Sequence, residues 1–589
     1  PPPDPMPEVP VATEQTAPPA VSQPVAGAET IAAVPQAPRL NVDTPRLQGS
    51  ISLKGARFDD LKLKGYKVDL EPNSETVRLL SPVGEPHAYY ALHGWTADAS
   101  LALEDTPGPA TEWTLVEGDT LSPGKPVKLQ WQNGKGLTFT RSIAIDDDYM
   151  FTITDGVQNA GTAPVTLQSY GVVARHGQPT DLQNFYVLHE GVVGRTDGAL
   201  AEVDYDDVLE LPQVPAEGAQ AEVTEATTDG WLGFTDKYWM TVLVPQQGKP
   251  FTAVVKYDAR ADIYQTETRL PAVTLAPGAS TEVSSQLFAG AKEWETIRNY
   301  QNDPSLLERL FGQKVDPARP QILGFIDSID WGWFFFFTKP IFWLLHHLHS
   351  LIGNMGLAII ALTFVLKLLV LPLAYKSYVS MARMKELQPE MEALKERAGD
   401  DKAKLQKEMM QLYKDRKINP AAGCLPIFLQ IPIFFSLYKV IFVTLELRHA
   451  PFFGWLTDLS APDPSSLFNL FGLLPWAAPD QGTLMATIFI GILPILLGIS
   501  MWLQQKLNPA PTDPAQAMVF AWMPWVFMFM LGSFASGLVL YWITNNMITF
   551  IQQYAIMLSH GHKPDLFGNI KAGFKKKPAA VVPPAKGKK

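Results

Sequence analysis

Lys367 is the residue of this sequence with the most to explain. It lies between Val365 and Val370 in the apolar run Gly356–Tyr375, with eight residues of that run still to follow. A charge at mid-membrane costs about 2.5–3.5 kcal/mol on insertion scales, so a lysine there lines a wet cavity or is neutralised inside a bundle. Snorkelling is the bland alternative, and it suits Lys439, near the end of its own run, better than Lys367. Thr363 stands four residues earlier on the same helical face. Gln430 sits between Pro426 and Pro432 in a second apolar run. In the last run, Asn545, Thr549 and Gln552 are spaced i, i+4, i+7, with Asn546 and Gln553 on the adjacent strip. Such a stripe is either interhelical hydrogen bonding, at about 0.6 kcal/mol per bond, or the lining of a hydrated groove. A lysine in the same set of runs favours the groove. Its chemistry is the solvation of polar cargo among apolar helices.

Bond-making chemistry finds little support. His346, His347 and His349 have no carboxylate beside them in sequence to complete a metal site. Gly498-Ile499-Ser500-Met501 resembles the serine motif of intramembrane proteases, but residues 484–558 contain no histidine to act as base. No phosphate-binding loop or dinucleotide fingerprint occurs. The single cysteine, Cys424, excludes a disulfide framework, a cysteine-based zinc site and an iron–sulfur cluster. The sequence therefore predicts no enzyme and no cofactor.

The elements that position these residues divide the chain. Residues 1–320 hold 24 Lys and Arg against 43 Asp and Glu, and residues 321–589 hold 24 against 16. The net charge of −11 argues against a DNA-binding protein. Residues 1–38 read as a disordered Pro/Ala-rich linker. The first residue is Pro1, which suggests a removed signal or anchor upstream.

Residues 39–300 read as an all-β sandwich. Leu137, Phe139, Ile143 and Ile145 share one parity, and Tyr149, Phe151 and Ile153 repeat it. Asn133-Gly134 predicts a type I′ hairpin between two strands. A connector (301–329) leads to an aromatic-rich stretch, 330–352, read as an interfacial amphipathic helix, with a sixth span as the alternative. Five spans are predicted at 353–375, 419–445, 484–504, 517–534 and 535–558. Between them lie a helical hairpin (376–418), a loop (446–483), a short loop (505–516) and a basic tail (559–589).

Residues 376–417 contain 11 Lys and Arg, and the tail after 558 holds eight lysines against one acid. Loop 446–483 has one arginine against four acids. Positive loops stay in the cytoplasm. The hairpin and C-terminus are thus expected inside, with the β domain and loop 446–483 outside. In the hairpin, Met381, Met384, Leu387, Met391 and Leu394 form one seam, and Leu405, Met409 and Leu412 the other. Gly399-Asp400-Asp401 makes the turn, and Pro389 is expected to kink the first helix. Met381, Met384, Met391, Asp400, Asp401 and Met409 form either a self-packed hairpin or a methionine-rich docking surface.

The order of parts resembles the YidC membrane protein insertases. The residues that carry the resemblance include Leu387-Gln388-Pro389-Glu390, Asn419-Pro420, Gly423-Cys424-Leu425-Pro426 and Gln430-Ile431-Pro432-Ile433-Phe434. Glu446-Leu447-Arg448-His449-Ala450-Pro451-Phe452 and Ser536-Gly537-Leu538-Val539-Leu540-Tyr541-Trp542 continue it. The resemblance implies a Gram-negative inner-membrane insertase with a periplasmic β domain. It also implies a groove open to cytoplasm and lipid, and one more N-terminal span upstream. The groove charge of the family is usually arginine, and Lys367 stands at the matching position. Thr363, Tyr541 and Trp542 on the first and last spans, with Ile431 and Phe434 on the second, match client-contacting positions. Ile431, Phe434, Tyr541 and Trp542 are read as an apolar slide.

The expected partners are nascent membrane proteins, a Sec-type translocon, anionic lipids, and the ribosome through the tail and hairpin. A secondary transporter would also carry a buried lysine, but should show an internal repeat, and none is visible. An envelope-assembly scaffold, with an outer binding domain and spans that merely anchor it, is the other alternative.

Overall fold

The computed structural model describes residues 37–560 except 99–100, 183–187, 305–308, 310–311, 313, 318, 320, 400, 417–424, 481 and 508–513. Most of the proline-rich linker, the basic tail from residue 561 and Asp400 therefore lie outside the described residues. Two compact units divide at Asp330/Trp331.

The first unit is built from a 12-stranded and a 9-stranded sheet. Strand Leu137–Ile145 alternates buried and half-exposed residues along its whole length, as its parity predicts. The sheets face each other through aromatic rings: Phe58 meets Phe151 at 5.1 Å, and Trp95 meets Phe139 at 6.3 Å. Helix α1 (Trp294–Gln301) follows the last strand. The hairpin at Asn133 forms, but not as a type I′ turn. Gln132 pairs with Thr138, so five residues make the loop. Asn133 Oδ1 accepts hydrogen bonds from the backbone N–H of Lys135 (2.8 Å) and Leu137 (3.1 Å). Gly134 and Gly136 supply the positive φ values, 71° and 95°. The asparagine side chain organises the turn, and that outweighs the two-residue preference.

The buried parity of Leu137–Ile145 includes a charge. Arg141 is 0% exposed and lies directly opposite Asp155 on the neighbouring strand. Its Nε and Nη2 donate to the two carboxylate oxygens at 2.6 and 3.1 Å. The guanidinium also sits 4.9 Å from the centre of the Trp113 ring. Burial, with Arg141 nearby, holds His93 neutral by pushing its pKa down to about 3.

His189 is the opposite case. Burial opposes its charge, but the hydrogen bond between its Nδ1 and Asp204 (2.7 Å) prevails and raises the pKa. Nε2 faces the Val192 carbonyl at 2.7 Å, so both ring nitrogens meet acceptors and both are protonated in the imidazolium. A histidine whose folded pKa is raised contributes stability that is complete below its unfolded value, about 6.5. That stability is lost as pH rises through the folded value. Asp204, held low by the same bond, loses its share as pH falls below the ordinary carboxylate range. The melting temperature of the β unit within the full chain is therefore expected to fall as pH rises from about 6.5 through the raised value of His189. His189→Gln should flatten that slope. An unchanged slope in the variant would show that His189 carries no charge.

The second unit is helical. Helix α2 (Phe335–Ile352) buries Thr338, Ile341, Phe342 and Leu345 and exposes Phe335, Phe336 and Trp343. Helix α3 (Met355–Glu386) runs 32 residues, from the first apolar run well into the predicted hairpin. Pro389 does not kink a helix. Instead α3 stops at Glu386, and α4 (Gln388–Ala398) begins with Pro389 in its first turn, where its missing N–H costs nothing. Helix α5 (Lys402–Asp415) packs back on α4 through Leu387, Met391 and Tyr413, with Met384, Met409 and Leu412 around them. Arg416 and Glu390 close the pair at 2.6 Å. Helices α6 (Leu425–Val443), α7 (Leu484–Ile488), α8 (Ile492–Gln505), α9 (Pro514–Met530) and α10 (Ser536–Ser559) complete the unit.

Among the described residues, Met355–Ser380, Leu484–Gln505 and Gln516–Ser533 are long and apolar enough to cross a membrane, and Gln430–Val443 is a shorter apolar helix. Helix α10 has 24 residues. At 1.5 Å per residue it is about 36 Å long, but its polar stripe lowers its hydropathy.

The stretch 484–505 is broken between α7 and α8 around Gly491. Asp463, from the preceding loop, supplies the cap: its Oδ2 accepts the Leu493 N–H at 2.8 Å. Ser465 Oγ accepts the Ile492 N–H at 2.9 Å. A Cβ at Gly491 would lie 2.5 Å from Asp463 Oδ2, so a side chain there would displace the cap.

Candidate functional site

Three helices bring the site together. Helix α3 presents Lys367, α6 presents Gln430, and α10 presents Tyr541. Lys367 Nζ donates to Gln430 Oε1 at 3.3 Å, and Gln430 Nε2 donates to the Tyr541 hydroxyl at 2.8 Å. The lysine fixes the sense of this chain. An ammonium only donates, so it takes the amide oxygen and leaves the amide N–H₂ to donate onward. The tyrosine oxygen is then an acceptor, and its own proton is not committed by that bond. Lys367 likewise keeps two further N–H groups. Tyr541, read from sequence as part of the apolar slide, thus stands in the polar chain and is buried.

The other residues named from sequence fall into three groups. Thr363 is buried, and its hydroxyl donates to the Ile359 carbonyl of its own helix at 2.7 Å. The stripe on α10 is partly interhelical: Asn546 Nδ2 donates to Ser500 Oγ of α8 at 3.1 Å. Asn545 Nδ2 reaches Asn546 Oδ1 at 3.4 Å, and Thr549 Oγ1 donates to the Asn545 carbonyl at 2.6 Å. Asn545 Oδ1 and Gln552 Oε1 are buried acceptors with no hydrogen-bond partner among the described residues. Ile431 is exposed, and the Phe434 ring packs on Trp542 at 4.5 Å. Phe364, Leu368, Leu369, Phe428 and Phe435 are also exposed on α3 and α6. A polar chain therefore lies among helices that present greasy surface.

The hairpin residues separate in the same way. Met391 is buried between α4 and α5, Met384 and Met409 are part-buried in the same cluster, and the Tyr413 hydroxyl points at Met391 Sδ, 3.6 Å away. Asp401 Oδ1 caps α5 by accepting the Lys404 N–H at 3.0 Å. The side chain of Met381 lies outside the described residues.

Sequence reasoning misses Ser500 as a partner of the stripe, because helical spacing gives no contact between residues 46 positions apart. It also misses Asp463, although the neighbouring Pro464-Ser465-Ser466 is a recognisable turn signal. Glu446 comes within 3.8 Å of His346 Nδ1, a carboxylate the local sequence did not offer. Among the described residues, still no group of three His, Cys, Asp or Glu side chains could hold a metal.

Two family models match the chain: the YidC periplasmic domain over residues 39–344, and the 60Kd inner membrane protein over residues 347–563. A protein of Cereibacter sphaeroides named membrane protein insertase YidC is 68% identical, over 97% of this chain and 91% of its own length. A Ruegeria protein of the same name is 65% identical, over 90% of this chain and 84% of its own. A crystal structure described as an active YidC insertase with its first transmembrane domain resolved aligns over 88% of this chain and 92% of its own. Its identity is 16% and its TM-score 0.34.

Proposed function

The chain belongs to the YidC family of membrane protein insertases, and from that premise we propose that Lys367, Gln430 and Tyr541 receive the polar tail of a nascent membrane segment. The observation that carries this reading is the hydrogen-bonded chain across α3, α6 and α10. Uncommitted N–H and O–H protons at its two ends are donors for a carboxylate or carbonyl in the tail, and they lower its desolvation cost. The unpaired acceptors Asn545 Oδ1 and Gln552 Oε1 offer the complementary polarity.

An acidic residue in the tail is attracted to Lys367. The membrane potential draws the same acid outward with about 2.3 kcal/mol per charge per 100 mV. The apolar part of the client leaves along Ile431 and the Phe434–Trp542 pair, and gains about 0.3–0.6 kcal/mol per large apolar residue on reaching lipid. No bond is made or broken, so the work is differential solvation, and binding stays weak enough for release.

The topology that suits this cycle has five spans, with the α4–α5 hairpin and the C-terminus in the cytoplasm and the β unit in the periplasm. The 11 basic residues of 376–417 and the acidic bias of residues 1–320 support it. In this reading, basic residues of the hairpin and tail meet anionic lipid and the ribosome, and a Sec-type channel hands over longer clients.

Photocrosslinkers at positions 363, 367, 430 and 545 test the groove, with Leu369 on the exposed face as control. A ribosome-bound client is expected to form adducts at the polar positions early and at 369 only after release. No adduct at any of the four sinks the groove.

A further inference from the structure

Sixteen consecutive residues between Asp463 and Asp480 carry no charge. Within them, Leu467, Leu470, Phe471, Leu473 and Trp476 are all exposed, Leu473 to 84%. The Asn469 and Trp476 polar side-chain groups of this tip bond internally. Asn469 Nδ2 donates to the Trp476 carbonyl (3.3 Å), and its Oδ1 accepts the Gly472 N–H (3.1 Å). The Trp476 indole N–H donates to the Phe468 carbonyl (3.1 Å), and the Phe471 N–H to the Ser466 carbonyl (2.8 Å). The large side chains that face outward are therefore hydrocarbon.

The backbone is strained to present it. Leu470 (φ 48°, ψ 47°) and Phe471 (φ 59°, ψ 36°) are successive non-glycine residues in the left-handed region. Such residues persist only where the surroundings hold them, and they cluster at functional surfaces.

The tip is also fixed in place. Ser466 Oγ donates to the Phe489 carbonyl at 2.6 Å, the Leu467 N–H donates to the Ile490 carbonyl at 3.1 Å, and Phe468 packs on Phe489 at 5.4 Å. These bonds clamp it to the apolar stretch 484–505, whose first turn exposes Leu484 (75%), Met485 and Ile488.

We propose that this tip is a foot seated in the interfacial layer of the bilayer, where it sets the depth of the 484–505 span. The inference rests on reading 484–505 as a membrane span, which supplies the argument for lipid. The tip is continuous with a face that must itself meet hydrocarbon, it offers no charge to a polar partner, and its Asn469 amide and Trp476 indole are bonded within it.

The test uses the full chain with Cys424→Ser in nanodiscs of phosphatidylcholine and phosphatidylglycerol. Spin labels are placed at Leu473→Cys, Leu484→Cys and Asn73→Cys, the last an exposed position of the β unit. At 473 and 484, collision with oxygen relative to a water-soluble nickel complex is expected to be several-fold higher than at 73. Leu470→Gly combined with Phe471→Gly, which relieves the strain and removes two exposed apolar side chains, should lower the ratio at 473 and shift that at 484; a ratio at 484 that does not move shows that the foot does not set the depth of the span. A ratio at 473 equal to that at 73, or shielding from both reagents, overturns the foot. If 484 also resembles 73, the span reading itself falls.

Discussion

Lys367→Ala is expected to reduce insertion of clients with an acidic residue in the translocated tail by about tenfold or more, while Lys367→Arg retains most of it. A hydrogen bond to a charged group is worth about 1.5–3 kcal/mol, and 1.4 kcal/mol corresponds to a factor of ten. The effect should follow the client's charge. A client with a neutral tail keeps the apolar exit route and loses little. Arginine keeps the charge and can donate to Gln430, although its planar fork changes the geometry. Gln430→Leu removes the residue that links Lys367 to Tyr541 and should give an intermediate loss on the same clients. The measurement is protease protection of acidic-tailed and neutral-tailed clients in reconstituted vesicles, with and without a membrane potential. If the alanine variant inserts acidic-tailed clients as well as the unmodified protein does, the electrostatic step is wrong. If it fails equally on both tails, Lys367 is a structural residue of the bundle.

The second large effect concerns stability. Asp155→Ala leaves Arg141, which has no exposure, as an unpaired charge between two sheets. Breaking a buried pair from one side costs about 3–5 kcal/mol. Replacing both partners with leucine removes the desolvation penalty together with the attraction, and should cost much less or nothing. Hydrogen exchange in the full chain distinguishes these outcomes. Amides of Leu137–Ile145 and Met150–Asn159 should exchange on the order of a hundredfold or more faster in Asp155→Ala, and near the unmodified rate in the double variant. A loss below about 1 kcal/mol in the single variant would show that water reaches Arg141.

The polar chain and the β unit were legible to different depths. Strand parity gave the buried face of Leu137–Ile145 directly, because side-chain alternation is local. The same parity places Arg141 on that face but does not name its partner, and a charge in the core becomes intelligible only when Asp155 is known to lie opposite. Asn133-Gly134 marked a hairpin correctly and its turn wrongly. The hydrogen bonds from the backbone to Asn133 Oδ1 depend on loop length, and loop length depends on the register of the two strands. Pro389 falls in a continuous helical pattern, which predicts a kink. In the fold it opens α4, because the chain turns at Leu387 to pack the two seams together.

Composition and hydropathy along the chain settled, without a structure, that a β-rich unit precedes apolar helices and that Lys367 stands inside one of them. These are local properties, and motif identity added the family. Only the tertiary structure decided who meets whom. Gln430 stands 63 residues from Lys367 and 111 from Tyr541, and helical periodicity gives each a face without naming the partner across it. The same holds for Ser500 with Asn546, and for Asp463 at the start of α8. A polar side chain among apolar helices must find a partner, and which one it finds is set by packing of helices far apart in sequence.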